Sequence, residues 1–250
     1  MAVKRKQLVK VAITFIWALI TSLGIGWVIQ NILLSVSGVA LLLVATILLW
    51  WFMLLVIVIF MRRDGETLKD IGFEKEKLGL QILWGFLVAT ITLLIFVILP
   101  ELIFDIQVES LLEINILEVT MVLIYMLLAV ALVEEVIFRG YLFKKLKDIK
   151  DNKWFAILVS STLFGLFHIF SFPANFSVFW LFYLYNWSRL RVIVTVAVMG
   201  VVWCLLRVKI KHCTLLSLII ANALHSAMVP VVLRLFHPVL HITLGDGMML

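Results

Sequence analysis

Charged residues are scarce in this sequence. Asp, Glu, Lys and Arg make up 14% of its 250 residues, whereas 64% are hydrophobic, and a soluble domain usually carries about 25% charged residues. This scarcity excludes a soluble globular enzyme, a disordered protein and a nucleic-acid-binding module, so no nucleic acid is expected as a partner. The apolar residues fall in blocks of membrane-spanning length. They predict an all-α, polytopic transmembrane helical bundle that is surrounded by the lipid bilayer.

Cysteine is nearly absent too. Cys204 and Cys213 flank a short basic stretch that we place on the cytoplasmic side, where disulfides are rare. Two thiols without neighbouring ligands also make a weak metal site. An internal repeat is lacking, so the inverted-repeat architecture of many transporters has no support in the sequence.

The longest charge-free stretch runs from Val11 to Met61. As one helix it would be about 75 Å long, so it must fold back across the membrane. Polar and small residues around 30–38 mark the turn. We predict seven spans, at about 9–30, 39–61, 80–99, 117–147, 153–172, 191–208 and 213–235. The short aromatic segment 176–187 suits an interfacial or re-entrant element, or an eighth span.

Proline is also rare, and three of the four prolines have a predicted role. Pro100 and Pro173 end the third and fifth helices, and Pro230 is expected to kink the last one. Three regions follow from this arrangement: N-terminal helices and loops over 1–116, a core over 117–235 and a C-terminal tail over 236–250.

Lysine and arginine set the predicted orientation. They cluster in alternate loops, whereas the loop 101–118 is acidic. We therefore expect a cytoplasmic N-terminus and an external C-terminus, in the plasma membrane of a bacterium, with the first span as an uncleaved anchor. Arg189 and Arg191 are the exception to this pattern. The tail histidines His237 and His241, with Asp246, are interpreted as exposed chain-end residues rather than as a metal site.

Ionisable and strongly polar residues inside membrane helices require a reason, because each costs a few kcal/mol or more. They occur in three predicted helices: Glu134, Glu135 and Arg139 in the fourth, His168 in the fifth, and Asn222, His225 and Ser226 in the seventh.

A structural interpretation explains most of these residues. Glu135 and Arg139 are four residues apart and can pair on one helix face. His168 can be a packing histidine, and Asn222 and Ser226 can join helices by hydrogen bonds. This interpretation leaves Glu134 unexplained, because it lies about 100° around the helix from Glu135. A second buried carboxylate requires a cation, a proton or a metal.

Depth arithmetic favours a shared site. Counted from the turn near residue 150, Glu134 and His168 lie about 24 and 27 Å deep, so the two side chains can meet. Asn222 and His225 lie about 14–18 Å from the start of the last helix, at a level that the sequence does not fix relative to the other two. These groups suit hydrolysis: Glu134 takes a proton from water, His168 holds that water or a metal, and the last helix stabilises an oxyanion. Proton relay in a transporter is the alternative chemistry.

Two motifs resemble the CPBP family, the CAAX proteases and bacteriocin-processing enzymes. The first, E-E-x-x-x-R, is matched from Glu134 to Arg139 and is followed by Gly140 and Tyr141. The second, F-x-x-x-H, is matched from Phe164 to His168. The resemblance covers roughly 117–230, and the upstream segment DIGFEKEKLG also resembles the family.

The family's third motif, H-x-x-x-N or H-x-x-x-D, is altered in this chain. Aligned on the apolar run, Asn222 occupies the histidine position and Ser226 the asparagine position, with His225 one helical turn on as a functional substitute. Aligned instead on His225, the fourth residue on is Val229, which cannot serve.

The resemblance implies a helical membrane domain that cleaves peptide bonds in a membrane-embedded or lipidated peptide or protein. It assigns water activation to Glu134 and His168. It gives Asn222 and Ser226 the role of oxyanion donors or ligands, and Glu135 and Arg139 a supporting role. It also allows a zinc ion on Glu134 and His168, although Asn222 in place of the expected ligand makes that set poorer. Two alternatives stay open: a catalytically reduced relative acting as a membrane binding or immunity protein, and a proton-coupled transporter.

Overall fold

The computed structural model describes residues 2–31, 39–99, 116–170 and 187–236. Within these ranges the chain is helical and contains no β-strand, which confirms the all-α fold class. Its helices are α1 (Ala2–Asn31), α2 (Val39–Phe52), α3 (Leu55–Asp64), α4 (Leu78–Ile98), α5 (116–150), α6 (Lys153–Phe170), α7 (Trp187–Lys209) and α8 (Leu215–Phe236).

The helices identify an integral membrane protein but not seven spans. Segments of α1, α4 and α5 are long and apolar enough to cross a bilayer, and α2 and α3 pass the same test as a pair. The described residues thus hold three or four candidate spans, while the apolar stretches of α6 and α8 are shorter. The predicted number of seven is not confirmed.

The predicted second span, 39–61, is two helices rather than one. The amides of Met53 and Leu54 donate to the carbonyls of Trp50 and Trp51, three residues earlier. This tighter turn interrupts the α-helical ladder, and α2 and α3 meet at an angle of 41°.

Several predictions lie outside the described residues. They concern the turn at 32–38, the acidic residues at 101–115, the terminating prolines Pro100 and Pro173, most of the segment 176–187, and the tail from His237 onward. The last helix continues through Pro230 to Phe236.

A tight turn joins α5 to α6. Asp151 has a left-handed backbone (φ 48°) and ends α5, and the Oδ1 atom of Asn152 accepts a hydrogen bond of 3.1 Å from the amide of Phe155 in the first turn of α6. Asn and Asp suit these positions because they tolerate the left-handed region and cap helices. The short connection makes α5 and α6 antiparallel neighbours.

The helix α5 is not uniform. It contains two wide π-helical stretches, Met126–Ala131 and Val136–Leu142, on either side of the α-helical turn Leu132–Glu135. Such wide turns occur often at functional sites. Both motif glutamates lie in the short turn between them.

The core forms around α5. Its buried apolar side chains, including Val133, Phe138 and Tyr141, pack with residues of α1, α6 and α8. A second cluster joins α4, α7 and α8 through Val88, Trp203 and Leu218. The last helix therefore touches both clusters, and its polar face is brought against the glutamates.

Charged residues hold the ends of α1, α3 and α5 together. Lys145 of α5 is fully buried and donates to Asp64 at 2.6 Å and to Glu66 at 2.8 Å. Lys10 of α1 donates to Asp64 as well. The buried lysine is thus paired with carboxylates, as a charge removed from water requires.

Candidate active site

The structure places the side chains of Glu134 and His168 next to each other. The Oε1 atom of Glu134 lies 3.8 Å from the Nε2 atom of His168. The other ring nitrogen, Nδ1, lies 2.9 Å from the carbonyl oxygen of Phe164, which can only accept a hydrogen bond. In a neutral ring the proton is therefore on Nδ1, and the lone pair of Nε2 faces the glutamate.

The second motif glutamate pairs with the motif arginine. Nη1 of Arg139 donates to Oε1 of Glu135 at 3.0 Å, and both side chains are almost completely buried, 1% and 0% exposed. The guanidinium carbon lies 3.6 Å from the ring centroid of Phe164 and 5.3 Å from that of Trp203. The arginine is thus held between two aromatic rings, a favourable cation–π geometry.

Asn222 connects the two glutamates. Its Nδ2 atom donates to Oε2 of Glu134 at 3.1 Å and to Oε1 of Glu135 at 2.9 Å. An amide nitrogen carries two hydrogens, so these two bonds use its donor capacity. Ser226 donates from Oγ to the Oδ1 atom of Asn222 at 3.1 Å. The carboxylate oxygens of the two glutamates accept and so favour the NH₂ end of the amide, and the serine hydroxyl satisfies the amide oxygen.

The cluster holds two buried carboxylates, Glu134 and Glu135. Arg139 forms an ion pair with Glu135, Arg207 lies close enough to act on the same carboxylate electrostatically, and Asn222 contributes hydrogen bonds without charge. Among the described residues Glu134 has no ion pair with an arginine or a lysine, so a proton or a cation would neutralise it. Glu134, which the sequence left without a partner, meets an amide on one oxygen and an imidazole on the other.

His225 points to another helix. Its Nδ1 atom lies 3.3 Å from the hydroxyl oxygen of Thr92 in α4. That hydroxyl donates its own hydrogen to the carbonyl of Val88 at 2.9 Å, so it accepts from His225. Within the described part of the chain, His225 thus joins α8 to α4 and makes no hydrogen bond with Glu134 or His168.

The donor set does not fit a catalytic zinc ion as it stands. The described ranges contain no group of three or more His, Cys, Asp and Glu side chains placed to hold a metal, and such a zinc site uses three protein ligands. Glu134 and His168 supply two, and the neighbouring Asn222 presents its NH₂ group to the glutamate. Zinc binding by Glu134 and His168 stays a prediction, and the hydrolysis proposed for this site does not require the metal.

Other residues support the site without having been predicted. A Cβ atom built on Gly200 would lie 3.0 Å from Nη2 of Arg139, so this glycine leaves room for the guanidinium. The ring of Trp203 lies near the guanidinium of Arg139, and Thr92 anchors His225. Two features of the sequence could have indicated these roles. Gly200 is a small residue and Thr92 a polar residue, each in a largely apolar helix.

These contacts define a helical membrane protein with a glutamate–histidine pair buried at the junction of α5, α6 and α8. Residues 116–228 match the family model described as type II CAAX prenyl endopeptidase Rce1-like. The match covers a little under half of the chain and confirms the CPBP resemblance over these residues. CAAX-type intramembrane protease is thus the class indicated at the level of the family. Comparisons with curated proteins and with solved structures found no match.

Proposed function

We propose that this protein is an intramembrane endopeptidase in which Glu134 and His168 activate a water molecule. The observation that carries the proposal is the distance of 3.8 Å between Glu134 Oε1 and His168 Nε2, two acceptor atoms on adjacent helices. This separation leaves a position about 2.8 Å from both atoms, which is hydrogen-bonding distance for a water oxygen. Each of the water's hydrogens would then point to one protein atom, and its oxygen lone pairs would face the substrate.

The hydrolytic step uses these groups as base and orienting acceptor. As the water oxygen attacks the peptide carbonyl carbon, its proton passes to Oε1 of Glu134 and the carbonyl electron pair moves to oxygen. When the tetrahedral intermediate collapses, the C–N bond breaks and Glu134 returns the proton to the leaving nitrogen. The Nδ1–H bond to Phe164 keeps His168 oriented throughout.

Asn222 acts in this proposal mainly on the carboxylates. It binds Oε2 of Glu134 and so leaves Oε1 for water, while Glu135 and Arg139 fix the neighbouring turn of α5. To stabilise an oxyanion, Asn222 would have to release one of its two glutamate bonds. Ser226 supports whichever role the amide takes by holding its oxygen.

The expected substrate is a membrane-embedded or lipidated peptide or protein, and the expected location is a bacterial plasma membrane with the N-terminus in the cytoplasm. The apolar helices and the family support a substrate that reaches the site from the bilayer.

The test is cleavage of membrane-bound peptides by purified protein in vesicles, followed by mass spectrometry. We expect Glu134→Gln and His168→Asn to lower cleavage by at least about 100-fold, the range typical of general-base groups. Glu76→Gln and His212→Asn are matched controls, since Glu76 is exposed and His212 is partly exposed on the loop before α8. Equal cleavage by Glu134→Gln and Glu76→Gln would refute the mechanism.

A second candidate function is supported by the altered third motif. Asn222 and Ser226 stand where the family has other residues, and Asn222 holds both glutamates as a neutral bridge. Such a bridge suits a catalytically reduced relative that acts as a membrane binding or immunity protein. A parent protein that cleaves no peptide, and whose biological role survives Glu134→Gln, would favour this candidate.

A further inference from the structure

We propose that Arg207 is a positioning residue, which clamps the loop 65–77 onto the motif helix α5 and thereby fixes the part of α5 that carries Glu135 and Arg139. The proposal rests on the proposed function for its catalytic consequence, but the clamp itself can be measured without an activity assay.

The guanidinium of Arg207 joins two backbones. Its Nη1 atom donates to the carbonyl oxygen of Arg139 in α5, and its Nη2 atom donates to the carbonyl oxygen of Ile71 in the loop at 2.8 Å. Ile71 is completely buried. A side chain from α7 thus ties together two segments that are distant in sequence.

The loop is shaped to receive this arginine. Gly72 has φ +98°, a conformation that L side chains rarely adopt, and a Cβ atom built there would overlap Nη2 of Arg207. The carbonyl of Gly72 also accepts from the amide of Leu215 at 3.2 Å. The glycine of the D-I-G-F segment is therefore required by both the turn and the clamp.

The motif helix is shaped for the same contact. A Cβ atom built on Gly140 would lie 3.2 Å from Leu215 and 3.5 Å from the carbonyl oxygen of Ile71. Gly140 follows Arg139 within the wide stretch Val136–Leu142. The loop, the start of α8 and the clamp therefore all meet α5 on one face.

This contact bears directly on the candidate site. Arg207 holds the backbone of Arg139, while the side chain of Arg139 holds Glu135. Glu135 in turn shares Asn222 with Glu134. A displacement at Arg139 would thus reach the proposed base through two hydrogen-bonded neighbours, and small displacements of catalytic groups lower rates strongly.

Arginine is the side chain that this geometry requires. Its planar fork presents several donors at fixed spacing, so it can satisfy two carbonyl oxygens at once. Lysine carries its three donors on one nitrogen at the end of a flexible stem, so it would hold the two carbonyls less rigidly than the fixed fork does. The conservative change Arg207→Lys is therefore expected to give an intermediate effect.

The experiment compares Arg207→Met, Arg207→Lys and Gly72→Ala with the parent and with Lys209→Met, an exposed position on the same helix end. On a membrane-bound peptide we expect Arg207→Met and Gly72→Ala to lower kcat by about 10–100-fold with KM within about two-fold. Lys209→Met should match the parent. In all variants, amide hydrogen exchange of residues 66–77 is measured in the same detergent.

Exchange in the loop should accelerate in Arg207→Met and Gly72→Ala, and it should be unchanged in Lys209→Met. If Arg207→Met and Gly72→Ala leave the amide exchange of residues 66–77 unchanged, or leave kcat unchanged, the proposal is overturned. If Arg207→Met does not fold, Gly72→Ala and Arg207→Lys decide by the same two readouts. If the parent cleaves no peptide, the proposed function fails, and the exchange comparison alone decides whether the clamp exists.

Discussion

Ser226 orients Asn222: its hydroxyl lies 3.1 Å from the amide oxygen and leaves the amide nitrogen facing the two motif glutamates. The sequence placed both residues on one face of the last helix, but it did not show that one serves the other. Because the two ends of the amide are alike in shape, the accepting glutamates favour the amide nitrogen on their side, and the serine hydroxyl supports this orientation by donating to the amide oxygen.

Removal of the serine hydroxyl is the first prediction. Ser226→Ala should lower kcat by about five-fold, the equivalent of one hydrogen bond of about 1 kcal/mol, because Asn222 loses the partner that fixes its orientation. Ser226→Thr keeps a hydroxyl and should stay close to the parent. Steady-state cleavage of a membrane-bound peptide measures both, and equal rates for Ala and Thr would contradict the orienting role.

A charge at Asn222 is the second prediction. Asn222→Asp places a third carboxylate beside Glu134 and Glu135, which already share one guanidinium. We expect it to lower the unfolding midpoint in detergent more than Asn222→Ala does, because Ala removes a donor whereas Asp adds an unpaired buried charge. Thermal unfolding followed by circular dichroism gives the comparison. If Asn222→Asp lowers the unfolding midpoint less than Asn222→Ala does, the carboxylates of Glu134 and Glu135 do not face this position.

The third prediction concerns the room that Arg139 occupies. Gly200→Ala should destabilise the protein by about 1–3 kcal/mol, as overpacking of a buried site does, because the new methyl group would meet Nη2 of Arg139 at 3.0 Å and Ser161 at 3.2 Å. Gly24→Ala is the matched control, since nothing lies within 4 Å of a Cβ atom there. Chemical denaturation in mixed micelles measures both variants, and equal effects would exclude the packing argument.

His225 gives the fourth prediction. His225→Ala should lower activity more than His241→Ala, because His225 links α8 to Thr92 of α4 close to Asn222. If the link is what matters, Thr92→Val should reproduce part of the loss, and the double variant should be less than additive. Parallel activity and stability measurements test this. Negligible losses at both histidines would remove His225 from the site.

The turn next to the clamp should respond to acid, which is the fifth prediction. The backbone amide of Thr67 and then its hydroxyl donate to Asp70 at 2.6 and 2.7 Å and hold the pKa of Asp70 below its ordinary value of 3.8. A lowered pKa means that the stabilisation is present above the ordinary range and is lost as the pH falls through the lowered value. The protection of the Thr67 amide, which is its exchange rate relative to the intrinsic rate at the same pH, should therefore fall in that acidic range, and Asp70→Asn should abolish this fall.

The pairing of the two central helices could be predicted because it depends on regular geometry. A tight turn near residue 150 and a constant rise per residue bring Glu134 and His168 to one depth, and the structure places their polar atoms 3.8 Å apart. The family resemblance came from two motifs in the same two helices, E-E-x-x-x-R and F-x-x-x-H. The depth comparison uses helical geometry, which the sequence displays directly.

The remaining geometry depends on contacts between distant segments, which periodicity does not reveal. The sequence offered Asn222 as an oxyanion donor or ligand, but its bonds to two glutamates depend on how α8 packs against α5. Likewise, Arg207 entered the sequence argument only as a topology signal, because its partners are backbone carbonyls of residues of any type. The spans were predicted from the length of apolar segments alone. Apolar length does not reveal a break within a segment, such as the one between α2 and α3.

The wide turns of α5 make chain length itself a determinant of this chemistry. A π-helical turn holds roughly one residue more than an α-helical turn. Removing a single residue from Val136–Leu142 would let the ladder tighten to α-helical geometry with little net rotation of the flanking turns, because the wide stretch absorbs that extra residue. The two acidic side chains would keep their direction, whereas the positions of Arg139 and Gly140 relative to their neighbours would change.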